Sequence, residues 1–209
     1  MPQQKKETPA YHHGNLRRVL IDTALEIISE KGADDVSLRQ IARRANVSHT
    51  APYRHFKDKN AILAAVAREG FDMMLRQTEV RIAHSRGDEL EHFAICGLSY
   101  IDFALNYPSH YRVMFGTRSE NSYFSDEFTP ESTPSFQLLS DKIRICREKG
   151  LLKAGDLKEM TLAAWSIVHG FAMLRIDHHI PDQGMDEKKL QDLKRSVVMT
   201  LYFGLRPEQ

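Results

Sequence analysis

Apolar residues recur along this 209-residue chain at the three- and four-residue spacing of an α-helix almost throughout, and no segment alternates with period two. That pattern predicts an all-α fold. Leu16, Val19, Leu20, Thr23, Ala24, Ile27 and Ile28 form one helical face, and Gly32 stands where a helix end favours φ > 0. Ser37 caps a short second helix, Leu38 to Ala45, whose inward residues are Leu38, Ile41 and Ala42. Asn46-Val47-Ser48 is a turn-forming break. A third short helix then reaches about His55, and a long fourth one runs from Asp58 to Ala83. Further helices read from Asp88 to Asn106, around His110–Phe115, from Ser135 to Lys149, from Asp156 to about His178, and from Asp186 to Phe203. Residues Gly116–Thr133 are polar and turn-rich and read as one long loop.

The rest of the composition narrows the class of function. Hydrophobic residues make up 42% and charged residues 27%, ordinary for a soluble globular protein. No uncharged apolar run of about 18 residues is present, so no membrane span is expected. Met1-Pro2-Gln3-Gln4-Lys5-Lys6-Glu7 lacks the apolar core of a secretion signal. Two cysteines, Cys96 and Cys146, cannot build a disulfide framework and suit a reducing cytoplasm. With no nucleophile elbow, glycine-rich phosphate loop or metal-ligand spacing, neither an enzyme nor a cofactor is expected. Asp177, His178, His179 and Asp182 crowd a helix end with neighbouring side chains pointing apart, so no metal site is expected there. Charge is uneven along the chain. Residues 1–70 carry 12 Lys and Arg against 8 Asp and Glu, a net +4, whereas the remainder carries 17 against 20, a net −3. A positive first third suggests that this end meets a polyanion.

Residues 37–56 sharpen that suggestion. Two short helices flank a tight turn, small Ala42 sits where two backbones approach, and Val47 plugs the space between them. A helix-turn-helix of this kind lets its second helix enter the major groove, about 12 Å wide, while the first crosses the phosphates. Tyr53 and His55 offer donors to phosphate oxygens, and Lys59 opens the long fourth helix, where backbone N–H groups and the dipole also favour phosphate. Base edges fall to the front of the recognition helix, His49, Thr50 and Ala51, with Arg54 one turn on, and Ser48 beside them belongs to the same DNA-binding set. Arg39 on the supporting helix can fork onto a guanine. A proline costs about 3 kcal/mol in a helix interior, so Pro52 places the helix start at Ser48 or His49, with Ser48 or Thr50 as the cap. Lys5-Lys6 and Arg17-Arg18 read either as an arm that follows the DNA backbone or as a disordered tail.

From about Tyr11 to Phe71 the chain resembles the N-terminal domain of the TetR family of bacterial transcriptional regulators. The resemblance is carried by Glu30-Lys31-Gly32, Val36-Ser37-Leu38-Arg39-Gln40-Ile41-Ala42, Asn46-Val47-Ser48 and Tyr53-Arg54-His55-Phe56-Lys57-Asp58-Lys59. Tyr11-His12-His13-Gly14-Asn15-Leu16-Arg17 resembles one subgroup, and Trp165-Ser166-Ile167-Val168-His169-Gly170 resembles the Trp-x-x-x-His-Gly motif of its C-terminal domain. Pro52 departs from the leucine more common at that position. The resemblance implies a flexible basic arm over residues 1–14, a DNA-binding domain over 15–60, and a helical ligand-binding and dimerisation domain over 61–209. It implies a cytoplasmic repressor, released from a palindromic operator on double-stranded DNA by a small-molecule effector. A helical ligand-binding or adaptor module without DNA binding is the alternative.

The last two helices supply the remaining expectations. Leu190, Leu193, Val197, Leu201 and Gly204 form a narrow stripe suited to a helix seam. Leu157, Met160, Ala164, Ile167, Phe171 and Leu174 form another, with a second apolar face of Trp165, His169, Ala172, Met173 and Ile176 on the same helix. A helix apolar on both sides must be covered on both, either by a monomer core that takes both stripes or by a homodimer through these two helices, which is what the resemblance implies. Trp165, His169 and Met173, with Phe103, Tyr107, Met114 and Phe115, are the expected lining of an effector pocket.

Overall fold

A computed structural model describes residues 16–116, 133–181 and 183–206. Among these residues the chain is helical without strands: α1 (Leu16–Lys31), α2 (Leu38–Arg44), a 3-10 turn (Pro52–Arg54), α3 (Lys59–His84), α4 (Glu89–Asn106), α5 (Pro108–Phe115), α6 (Pro134–Glu148), α7 (Leu157–Ile176) and α8 (Glu187–Leu205). Contacts divide it into two units, with the boundary inside α3 between Ile62 and Leu63. The expected arm, most of the Gly116–Thr133 loop, and Asp182 lie outside the described residues.

Helix starts follow from local chemistry. The side chains of Ser37, Asp58, Asp88, Thr133, Asp156 and Asp186 each accept the backbone N–H three residues on, satisfying a donor that the first turn leaves open. Helix ends are as regular. After α2, Asn46 adopts φ +53°, its N–H reaches the Arg43 carbonyl, and that of Val47 reaches Ala42. Gly150 after α6 and His178 after α7 close their helices by the same pair of bonds. The Asp177-His178-His179 segment is thus a helix terminator. Among the described residues no group of three His, Cys, Asp or Glu side chains is placed to hold a metal ion.

In the first unit, Leu20, Ala24, Ile27 and Ile28 of α1 are buried with Leu38, Ile41 and Ala42 of α2, and Phe56. Arg44 ties α2 to α1 through Glu26 and Glu30. Arg17 lies with its guanidinium 5.3 Å from the Phe56 ring centre, and Arg18 pairs with Asp22, so both belong to the first turns of α1 and not to an arm. The expected recognition helix is corrected. Only Pro52–Arg54 are helical there, as a 3-10 turn. Pro52 has no N–H to give the Ser48 carbonyl, which is taken instead by Ala51 three residues on, and i→i+3 bonds continue through Arg54 and His55.

In the second unit α4 is the hub, packed against α5, α6, α7 and α8. The stripes expected on the last two helices shift in register. On α8 the buried residues are Lys194, Val198, Leu201 and Leu205, while Gly204 is exposed. On α7 they include Met160, Ala164, Val168, Phe171 and Ala172, and Ile167 and Leu174 point outward. A lysine is part of the shifted α8 stripe. Lys194, 3% exposed, gives its ammonium to Asp102 Oδ1 at 2.6 Å, and Arg81 takes Oδ2 of the same carboxylate at 2.7 Å. An ion pair at this depth must be matched or removed as a pair. Asp102→Ala should destabilise the protein by about 3 kcal/mol in urea unfolding, and adding Lys194→Met should recover most of the loss. A double variant no more stable than the single one would contradict the pairing.

Candidate functional site

Two features are candidates for function, one in each unit. In the first unit, the segment after α2 presents polar side chains outward. Arg39, Ser48, His49, Thr50, Tyr53, Arg54 and His55 are exposed, and Ala51 is half-buried. The Ser48 and Thr50 hydroxyls lie 3.3 Å apart, so the two candidate caps hydrogen-bond each other. Pro52 and Phe56 are buried beneath them and anchor the segment. Lys59 is half-buried and donates to the Asp34 carbonyl at 2.6 Å, which ties the start of α3 to the connection between α1 and α2. The exposed set combines hydroxyl, imidazole and guanidinium donors on one short stretch, a chemistry suited to phosphate oxygens and base edges.

In the second unit, α3, α4, α6, α7 and α8 enclose a cavity of about 50 Å³. Its wall includes Phe71, Met74, Leu75 and Thr78 of α3, Phe93, Cys96, Gly97 and Tyr100 of α4, and Phe136, Leu138 and Leu139 of α6. Ala164, Trp165 and Val168 of α7, Val198 and Leu201 of α8, and Phe115 complete most of the rest. Gly97 permits the close approach of α8: a Cβ there would stand 3.1 Å from a Val198 methyl. At one side the wall becomes polar. Trp165 Nε1–H donates to Tyr100 Oη at 3.0 Å. Tyr100 Oη lies 3.0 Å from Tyr111 Oη, and both hydroxyls lie 2.8 Å from His169 Nδ1.

Residues 20–66 match the family described as bacterial regulatory proteins, tetR family, and residues 93–198 match the Tetracyclin repressor-like C-terminal domain. The chain belongs to the TetR family. It is therefore a DNA-binding transcriptional regulator, which decides against an adaptor module without DNA binding. It is 26% identical to the HTH-type transcriptional regulator YobS of Bacillus subtilis over 77% of this chain and 79% of that one. To BetI of Klebsiella pneumoniae it is 42% identical over 34% of this chain and 36% of that one. A structure from Rhodococcus sp. RHA1 superposes with TM-score 0.75 at 28% identity, covering 96% of this chain and 100% of that one. The fold is shared with FadR of Bacillus subtilis, solved in complex with stearoyl-CoA: TM-score 0.74, 20% identity, 91% and 100% covered.

Of the seven residues expected to line an effector pocket, Phe115 and Trp165 stand in the wall of this cavity, and His169 holds the polar cluster beside them. Phe103, Tyr107, Met114 and Met173 are not in the wall. Phe103 is fully buried and its ring stacks against Tyr107, 5.2 Å between centres. Met114 faces Gly70 of α3, because adjacent helical residues point in different directions and Phe115 takes the cavity side. Met173 lies two turns along α7 from Trp165, about 12 Å further on. Sequence reasoning missed Tyr100 and Tyr111, although a tyrosine set within an apolar helical run signals a buried hydroxyl in need of a partner.

The protons of the cluster fix its ionisation. Trp165 N–H and the two phenol O–H groups all find acceptors within it only if the His169 imidazole is neutral and accepts at Nδ1. Burial lowers the pKa of His169 from its ordinary 6.5, in accord with that state, and raises those of both tyrosines. Tyr100→Phe leaves the Trp165 N–H without an acceptor and should cost about 2 kcal/mol, against about 1 kcal/mol for Tyr111→Phe. Equal losses in denaturant unfolding would contradict the central place of Tyr100. The unfolded chain protonates His169 more readily than the folded one, so this residue's contribution to stability falls as pH drops below about 6.5. The stability gap between the wild type and His169→Phe should therefore narrow from about pH 7.5 to about pH 5.5. A gap that widens on acidification would show a charged imidazole in the fold.

Proposed function

We propose that this regulator is a cytoplasmic repressor, bound as a homodimer to a palindromic operator and released when an apolar effector enters the cavity of the second unit. The observation that carries the reading is the wall of that cavity. Phe71, Met74, Leu75 and Thr78 belong to α3, whose first turn, Lys59 to Ile62, lies in the first unit. A dry cavity that admits benzene measures roughly 150 Å³, so one of about 50 Å³ must widen to hold a ring or chain. A ligand that widens it by displacing α3 favours one position of that helix over another, and only such a difference in affinity can move an equilibrium. Coupling of about 1–3 kcal/mol changes DNA affinity roughly 5–150-fold, enough to switch a promoter. FadR of Bacillus subtilis, of like fold, holds stearoyl-CoA, which supports an effector with much apolar surface.

The remaining assignments follow the same reading. Residues 15–60 are the DNA-binding domain, preceded by a basic arm over 1–14, and residues 61–209 bind the effector and the second subunit. Tyr53, His55 and Lys59 hold phosphates, while Arg39, Ser48, His49, Thr50, Ala51 and Arg54 face the bases. Ile167 and Leu174 on α7, with Met199 and Phe203 on α8, are exposed apolar side chains on two neighbouring helices. A second copy covering them sets two reading segments about one DNA turn apart, roughly 34–36 Å. We assign the protein no catalytic reaction. The test is operator selection with two variants. Tyr53→Ala should weaken all sequences alike, whereas Arg39→Ala should relax preference at one base position by about 1–3 kcal/mol. Loss of selectivity on removing Tyr53, or none on removing Arg39, would overturn these roles.

A further inference from the structure

The chemistry of the cavity wall limits what can occupy it. Among the described residues every wall side chain is uncharged. Its polar groups have partners within the protein: Thr78 O–H donates to the Met74 carbonyl at 2.8 Å, Ser135 O–H to the Phe71 carbonyl at 3.5 Å, Thr133 Oγ1 accepts the Phe136 N–H at 3.3 Å, and Trp165 N–H donates to Tyr100. A carboxylate placed there would give up its hydration with no cation among the described wall residues to meet it, which is far more costly than burying a hydroxyl. The wall offers rings instead. Phe71 and Phe115 meet edge to face with 5.5 Å between centres, and Phe136 and Trp165 do so at 6.1 Å. A flat ring entering between them gains contacts of the same geometry while displacing the wall less than a bulky aliphatic group would. Burial also pushes the Cys96 thiol up to about 12 and Tyr100 upward, and lowers His169, so each of these groups is held in its neutral form. The same low polarity acts on any charge the ligand brings.

We infer that the effector is an uncharged, ring-bearing molecule, and that the cavity discriminates against the same molecule carrying a carboxylate. This rests on the reading of the cavity as the effector site. Trp165, the single tryptophan of the chain, lies in the wall and reports occupancy by its emission. A matched pair tests the inference on the full-length protein: para-tert-butylbenzyl alcohol and para-tert-butylbenzoate, which differ in charge far more than in shape, with stearoyl-CoA as a third probe. The alcohol should give a saturable change in Trp165 emission, with affinity about tenfold or more above that of the benzoate at neutral pH. The benzoate should tighten as pH falls toward its own pKa. A benzoate that binds as tightly as the alcohol overturns the inference and leaves the effector site standing. So does binding of stearoyl-CoA alone. Silence from all three probes overturns both.

Discussion

The second unit is built around the burial of α4. Phe93, Ile95, Cys96, Gly97, Tyr100, Ile101, Phe103 and Ala104 are buried around its circumference, and a helix apolar on every side needs neighbours on every side. α5, α6, α7 and α8 provide them. Two polar side chains on this central helix then dictate what faces it. Tyr100 requires hydrogen-bond partners and finds them in Trp165, His169 and Tyr111. Asp102 requires cations and finds Arg81 and Lys194. The first set borders the cavity; the second joins α3 to α8 on either side of a single carboxylate.

α3 is shared between the units, with its first turn in the first and the remainder in the second. α3 contributes cavity wall at Phe71, Met74, Leu75 and Thr78, and Arg81, less than one turn past Thr78, is bound to Asp102. Its close contact with α5 at Gly70, where a Cβ would stand 2.4 Å from Met114 Sδ, leaves little slack for sideways movement on that side. Within the second unit α3 is thus held at two defined points, Gly70 and Arg81.

Much of the fold was legible because helix boundaries are written in short-range chemistry. Ser37, Asp58, Asp88, Asp156 and Asp186 accept the N–H three residues on, and Gly32 and Gly150 take positive φ at helix ends. The family resemblance marked the segment after α2, but not its conformation: Pro52 removes one donor and turns an expected α-helix into a 3-10 turn. The pocket was less legible. Trp165 and Phe115 were identifiable as large rings on apolar faces, but the same description fits Phe103, which is plain core. Periodicity records that a face is covered, not whether the cover is a side chain or a cavity.

The sequence by itself determined most of the helices, their caps and the exposed polar segment after α2, since each depends on groups within a few residues of one another. Tertiary structure decided which apolar face looks inward, and that a lysine is buried on α8 alongside Val198, Leu201 and Leu205. It also decided that Tyr100 and His169, 69 positions apart, share a hydrogen bond, as do Asp102 and Lys194 across 92. Those pairings satisfy polar groups left unmatched by their own helices, and the partner of a buried polar group is chosen by packing rather than by sequence separation.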